Sequence, residues 1–187
     1  MTGYYTRYHL KRKNLPIYIS LASGIKYIQS VYPSESVIDI GCSCGEMLKH
    51  IDSKIKTGID YKIRLDNLNE GFNFIRHNLH KPPIFVGKHD LVICQEVIEH
   101  ILPRSEANAL KMLDINSSDN AILVFSGARP GQRGRSHVNC QDKEYWKAKL
   151  LKYGFHYNKR LTRKYTQCIP ERSCYARNTM IFIKGWE

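Results

Sequence analysis

The sequence predicts an α/β domain built on a doubly wound, mostly parallel sheet with helices on both faces. Three observations lead there. Short, β-branched apolar runs alternate with longer stretches at helical spacing. The run at 89–97, HDLVICQEV, has a near-continuous apolar centre, as a strand covered on both faces requires. Acids and glycines stand just after several of the runs, and such sheets gather their ligands beyond the carboxyl ends of their strands.

PIYISLASGIKYIQSVYP (16–33) carries apolar residues at helical spacing and stops at Pro33, which predicts an N-terminal helix. SVIDI (36–40) reads as a buried strand ending at Gly41. GEMLKHIDSKI (45–55) then reads as a helix, KTGID (56–60) as a second strand and GFNFIRHN (71–78) as a third. The fourth strand is 89–97. PRSEANALKMLDIN (103–116) starts on proline and keeps helical spacing. NAILVFSG (120–127) is a fifth strand, followed by a Gly- and Arg-rich loop. DKEYWKAKLLKYGF (142–155) is a basic amphipathic helix ending at Gly154, and ARNTMIFIKG (176–185) closes the chain as a strand.

A chain of 187 residues suits one domain, large enough to hold a core without disulfides. No apolar run is long enough for a membrane span, and the basic N-terminus lacks the apolar stretch of a signal peptide. A cytoplasmic protein is expected, in the host cytoplasm if the source is viral. The six cysteines form no CxxC, and His77 and His80 make at most half a zinc site. Buried, reduced thiols are therefore expected, and no metal is assigned. The formal charge of +12 is uneven. Residues 1–26 hold five Lys/Arg and no acid, and residues 129–187 hold fourteen against four, around a slightly acidic centre. Such basic ends serve solubility or an anionic partner, such as nucleic acid or a phosphorylated or nucleotide-linked glycan.

The first strand end reads DIGCSCG (39–45), a carboxylate followed by a glycine turn into a helix. It is not GxGxxG, and Asp39 would repel a pyrophosphate, so a nicotinamide dehydrogenase fits poorly. The second strand ends in Asp60, twenty-one residues after Asp39, where a carboxylate can accept from ribose hydroxyls. Together the two strand ends resemble motif I and the ribose acid of the class I methyltransferases that use S-adenosyl-L-methionine (SAM). HDLVICQEVIEHI resembles the fourth strand of that superfamily, and Asn78 in RHNLHKPP stands where its members carry an acid near the adenine. GQRGRSHVNCQDKEYW (131–146) and CYARNTMIFIK (174–184) resemble a subgroup of bacteria, phages and large viruses, found beside glycosyltransferases and thought to methylate sugars. Arg133 and Ser136 depart from it, standing where the subgroup has glycines.

The resemblance covers about residues 34–184. It implies a Rossmann-like, mostly parallel seven-stranded sheet whose last strand is antiparallel. A basic segment and helix (1–33) would precede a methyltransferase domain (34–187). It implies SAM as cofactor, S-adenosyl-L-homocysteine as product, and a sugar hydroxyl of a glycan or nucleotide sugar as acceptor. The cofactor site would then comprise Asp39, Gly41, Cys42, Gly45, Asp60, Tyr61, Asn78, Leu79, Gln95 and Glu96. The acceptor side would comprise Glu99, Gln132, Arg133, Arg135, Asn139 and Gln141. A hydroxyl is a poor nucleophile and benefits from a general base, and histidine is the residue type that titrates nearest neutral pH. His137 is the expected base and His100 its rival, although His137 could instead only pin a glycine-rich turn. An RNA methyltransferase is the alternative suggested by the basic ends, against which stands QEVIEH where base amino methyltransferases carry an N-P-P-Y type motif. A non-catalytic binding module is a third reading.

Overall fold

The structure is a computed structural model and describes residues 16–63 and 68–185. Residues 1–15, which include most of the positive charge of the N-terminal segment, lie outside the described residues. The elements in chain order are α1 (Pro16–Val31), β1 (Ser36–Ile40), α2 (Glu46–Lys49), β2 (Ile55–Asp60), β3 (Asn73–Arg76) and β4 (His89–Gln95). Then come α3 (Glu106–Ile115), β5 (Ser117–Ser126), α4 (Lys143–Leu151), β6 (Phe155–Tyr157), α5 (Lys159–Gln167), α6 (Cys174–Asn178) and β7 (Met180–Lys184). Short 3-10 turns occupy Ile98–His100 and Pro103–Ser105.

The seven strands form one sheet in the order β3-β2-β1-β4-β5-β7-β6. Every neighbouring pair from β3 to β5 is parallel, and β7 runs antiparallel to both β5 and β6. The chain builds outward from β1 to β3, then returns to add β4 and β5 on β1's other side. The crevice between β1 and β4 is thus the topological switch point, where sheets of this kind bind ligands.

Strand periodicity sorts the core into two layers. Ile38, Ile40, Val92, Cys94, Leu123 and Phe125 face the layer covered by α3 and α4, with Trp146 stacked edge-on against Phe125 at 5.4 Å. Val37, Leu91, Ile93, Ile122, Val124 and Ile181 face the layer covered by α1, α2 and α5. The α1 stripe Leu21, Ile25 and Ile28 is buried there at helical spacing, and Gly24 lets the Tyr165 ring of α5 lie against the helix.

Several elements differ from the sequence reading. The helix expected over 45–55 is a single turn, Glu46–Lys49. Beyond it Gln29 of α1 holds the Asp52 carbonyl and the Ser53 hydroxyl at 3.0 and 3.2 Å, so the chain is tied down as a loop before β2. Residues 176–178 belong to α6, which is capped by the Ser173 hydroxyl accepting from the Ala176 N–H, and the strand begins only at Met180. Two elements escaped the reading altogether. Strand β6 has only three residues, and α5 is so polar (KRLTRKYTQ) that its buried stripe reduces to Leu161, Thr162 and Tyr165. Among the described residues no helix is long and apolar enough to cross a membrane.

Candidate active site

The turn after β1 is shaped by its backbone. Gly41 has φ +90°, and a Cβ there would come 2.3 Å from a methyl of Val97, so only glycine fits. Its N–H and that of Cys42 both donate to the Ile59 carbonyl of β2, at 2.7 and 3.1 Å. Ser43 is left-handed (φ 53°) and its N–H donates to Asp60 Oδ2 at 2.9 Å. Asp60 Oδ1 accepts from the Tyr61 and Lys62 N–H groups at 2.6 and 3.2 Å. The carboxylate at the end of β2 therefore locks the turn at the end of β1. Gly45 precedes α2 with φ +82° and the Phe72 ring over it. Asp39 is buried between β2 and β4. Burial first, then the Asp60 charge, push its carboxyl up to about 7. Burial, followed by the Asp39 charge, also pushes the Cys42 thiol well above its ordinary range.

Beyond these strand ends lies an open cleft of about 560 Å³, its mouth and the solvent in it included. Asp39, Gly41, Cys42, Gln95 and Glu96 line it, as does Ser43. Tyr18 and Leu21 of α1, Met47, Ile93 and Tyr175 complete the wall. These last five were missed by the sequence reading. The signal for Tyr18 and Leu21 was their i, i+3 spacing on the apolar side of α1, in a segment that no motif covers. Gly45, Asp60, Tyr61, Asn78 and Leu79 do not line the cleft. Asp60 supports it through Ser43, Asn78 Oδ1 accepts from the His80 N–H at 3.0 Å, and Leu79 packs into the α3–α4 layer.

Gln95 is held between Thr179 Oγ1 and the Tyr165 hydroxyl at 3.0 and 3.2 Å. Glu96 has φ 55°, a strained left-handed conformation for a non-glycine residue, and such strain gathers at functional sites. Its N–H donates to the carbonyl and hydroxyl oxygens of Ser126, and its Oε1 accepts from Asn178 Nδ2 at 3.1 Å.

One turn past Glu96 the loop 127–142 folds over Glu99, whose carbonyl accepts from the Val138 and Asn139 N–H groups at 2.8 and 3.1 Å. The Glu99 side chain is 1% exposed; Oε1 lies 4.0 Å from His137 Nε2, and among the described residues no side chain donates to Oε2, while the Glu99 and Ala128 N–H groups favour the charged form. Burial, then the neighbouring Glu96, push its carboxyl up to about 8. His137 Nδ1 sits 3.2 Å from the Gln132 carbonyl and His100 Nδ1 sits 3.1 Å from the Ser136 carbonyl. A carbonyl only accepts, so each ring donates from Nδ1 and keeps a lone pair on Nε2. The two rings meet edge to face with centroids 5.0 Å apart. Ser136, where the resembling subgroup has glycine, is indeed left-handed (φ 60°).

Other predicted acceptor-side residues hold this loop in place. Asn139 is buried, donates to Glu106 Oε2 at 2.9 Å and accepts from Gln141 Nε2 at 3.1 Å. Glu106 also accepts from the Tyr145 hydroxyl and pairs with Lys149 at 3.0 Å, which fastens the loop to α4. Asp142 caps α4 by accepting from the Tyr145 N–H, a contact worth about 1 kcal/mol. Gln132 accepts from Asn178 Nδ2 at 3.0 Å, and Arg133 and Arg135 stand exposed near the loop tip.

No protein-family model matches the sequence. None of the curated proteins matches it either. Among solved structures, the sugar N-methyltransferase KedS8 from Streptoalloteichus sp superposes with a TM-score of 0.75 at 12% identity, over 96% of this chain and 92% of that one. CalS10, a SAM-bound amino pentose methyltransferase from Micromonospora echinaspora, gives 0.69 at 11% identity, over 91% and 92%. The plantazolicin methyltransferase BpumL, solved with SAH, gives 0.64 at 14% identity, over 96% and 90%. The chain has the class I methyltransferase fold. The likeness is one of architecture, since so few residues are shared.

Proposed function

We propose that the chain transfers a methyl group from SAM to a hydroxyl of a sugar, in a glycan or a nucleotide sugar. The observation that carries this reading is a juxtaposition. The cleft at the switch point contains the buried Asp39, and one turn beyond its Glu96 wall stand a buried carboxyl group and two imidazoles held through Nδ1, with His137 Nε2 turned toward Glu99.

The residues present fit SAM. Asp39 suits a cationic ligand, and Gly41, with Val97 packed against its backbone, holds the turn that lines the cleft. Asp60 stands behind the cleft wall and holds the Ser43 turn by accepting its N–H on Oδ2. Tyr18, Leu21, Met47 and Tyr175 supply ring and aliphatic surface to the cleft wall. SAM supplies a methyl group on a sulfonium, so the C–S electron pair stays on sulfur as the new C–O bond forms. His137 Nε2 takes the proton that the hydroxyl gives up. The Gln132 carbonyl fixes the ring, and Glu99 Oε1 lies 4.0 Å from the nitrogen that takes the proton.

KedS8 and CalS10 act on sugars, which supports a sugar acceptor. KedS8 methylates nitrogen. A hydroxyl is favoured here because it, more than an amine, needs the proton acceptor that Glu99 and His137 provide. Helix α5 favours a second reading, a nucleic-acid acceptor, because Lys159, Arg160, Arg163 and Lys164 are all exposed on it.

Methyl-labelled SAM offered to a pool of glycans and nucleotide sugars, beside a pool of RNA and DNA, separates the two. Label is expected in the sugar pool. His137→Ala is expected to lower turnover by about a hundredfold or more while calorimetric SAM affinity stays unchanged. Label confined to nucleic acid would overturn the sugar reading, and near-normal turnover of the variant would remove His137 from the mechanism.

A further inference from the structure

We propose that Glu99, His100 and His137 form a binding site for a divalent first-row transition ion, with the acceptor hydroxyl as an additional ligand. One donor atom from each of the three residues falls within 4.8 Å of the others. Bonds of about 2.0–2.2 Å to nitrogen and oxygen put adjacent donors about 3–3.5 Å apart. The 4.0 Å between His137 Nε2 and Glu99 Oε1 exceeds that spacing by about 0.5–1 Å.

A second observation points to a ligand. Glu99 is 1% exposed, yet among the described residues no side chain donates to its Oε2, and only the backbone N–H groups of Glu99 and Ala128 favour its charged form. A third is the pair of backbone carbonyls. Gln132 and Ser136 hold both rings by Nδ1, and this is how metal-binding histidines are oriented so that Nε2 presents its lone pair. The loop that brings His137 to the cluster is itself fastened to the Glu99 carbonyl, so donors distant in sequence are fixed together.

Two imidazoles with one carboxylate suit Mn²⁺, Fe²⁺, Co²⁺ or Zn²⁺ better than Mg²⁺ or Ca²⁺, which prefer all-oxygen sets. Three protein donors leave positions open for acceptor oxygens. An ion there acidifies a bound hydroxyl, whose proton leaves to solvent, and His137 then serves as a ligand in place of a base. The acceptor's part in this rests on the hydroxyl reading above; the ion site does not.

Tag-free, chelator-stripped full chain is titrated with Mn²⁺ and with Zn²⁺ by calorimetry, and with Co²⁺ by visible absorption. One ion per chain is expected, with binding weakened at least tenfold by Glu99→Gln and by His100→Ala and unchanged by His77→Ala. Equal SAM affinity in all three variants reports that they are folded. Absence of saturable binding, or binding indifferent to both Glu99→Gln and His100→Ala, overturns the site. Label transfer to a sugar that persists unchanged in chelator removes the ion's role and leaves the methyltransferase reading intact. Ion binding with no transfer to any sugar leaves the site standing and removes that reading instead.

Discussion

The two sides of the cleft are built by opposite means. Between Asp39 and Asp60 the site is made of backbone. Left-handed residues at 41, 43 and 45 turn the chain, and N–H groups close it onto the Ile59 carbonyl and the Asp60 carboxylate. On the other side Glu99, His100 and His137 meet through side chains, carried by a turn and a loop that are separated in sequence by strand β5. The cofactor side should therefore fail all at once when a backbone position is blocked. The acceptor side can lose its chemistry while the fold survives.

The largest effect is expected from Gly41→Ala. The new methyl would meet Val97 at 2.3 Å on a backbone with φ +90°, and overpacking added to left-handed strain costs about 3 kcal/mol. Urea unfolding should show that loss together with the loss of SAM binding. Adding Val97→Ala should return the packing share and leave the backbone share. An undiminished unfolding midpoint in the single variant would break the claim that this side is backbone-made. Gly134→Ala is the matching change across the cleft. Its methyl would lie 2.0 Å from His137 Nε2, the mobile end of a side chain, so the ring swings away at little cost to the fold. Turnover is expected to fall about ten- to a hundredfold, with the unfolding midpoint and SAM affinity unchanged. A fall in SAM affinity would mean that the two sides are not separable.

This contrast also explains what could be read without a structure. The parallel core, the switch point and the Asp39–Asp60 pair rest on local runs with clear periodicity or spacing. Sheet position followed from them. The wall residues Tyr18 and Tyr175 come from segments that only the fold brings to the cleft. Nor could spacing reveal that Glu99, just past the fourth strand, would be buried beside two imidazoles. Asn139 shows the reverse limit. A polar residue in a glycine-rich loop suggests ligand contact, yet a buried Glu106 from α3 claims its amide. Helix α5 was illegible because three buried residues in nine give too narrow a stripe to outweigh its cations.

The smallest expected effect tests the charge on the cofactor side. Asp39 titrates near 7 in the folded chain, raised by burial and by Asp60, against an ordinary carboxylate value of 3.8. Between those values the unfolded chain gives up a proton that the folded chain keeps, so the stability due to this group is present at low pH and is lost as pH rises through about 7. SAM, being cationic, favours the carboxylate, and its affinity should rise about tenfold from pH 6 to pH 8 as the free chain ceases to hold the proton. Asp39→Asn removes the titration without changing the volume. At pH 8 the variant should melt higher than the parent and bind SAM more weakly, with an affinity flat across the same range. A flat profile in the parent chain would mean that Asp39 does not meet the cofactor's charge, and the backbone alone would then have to account for binding on that side.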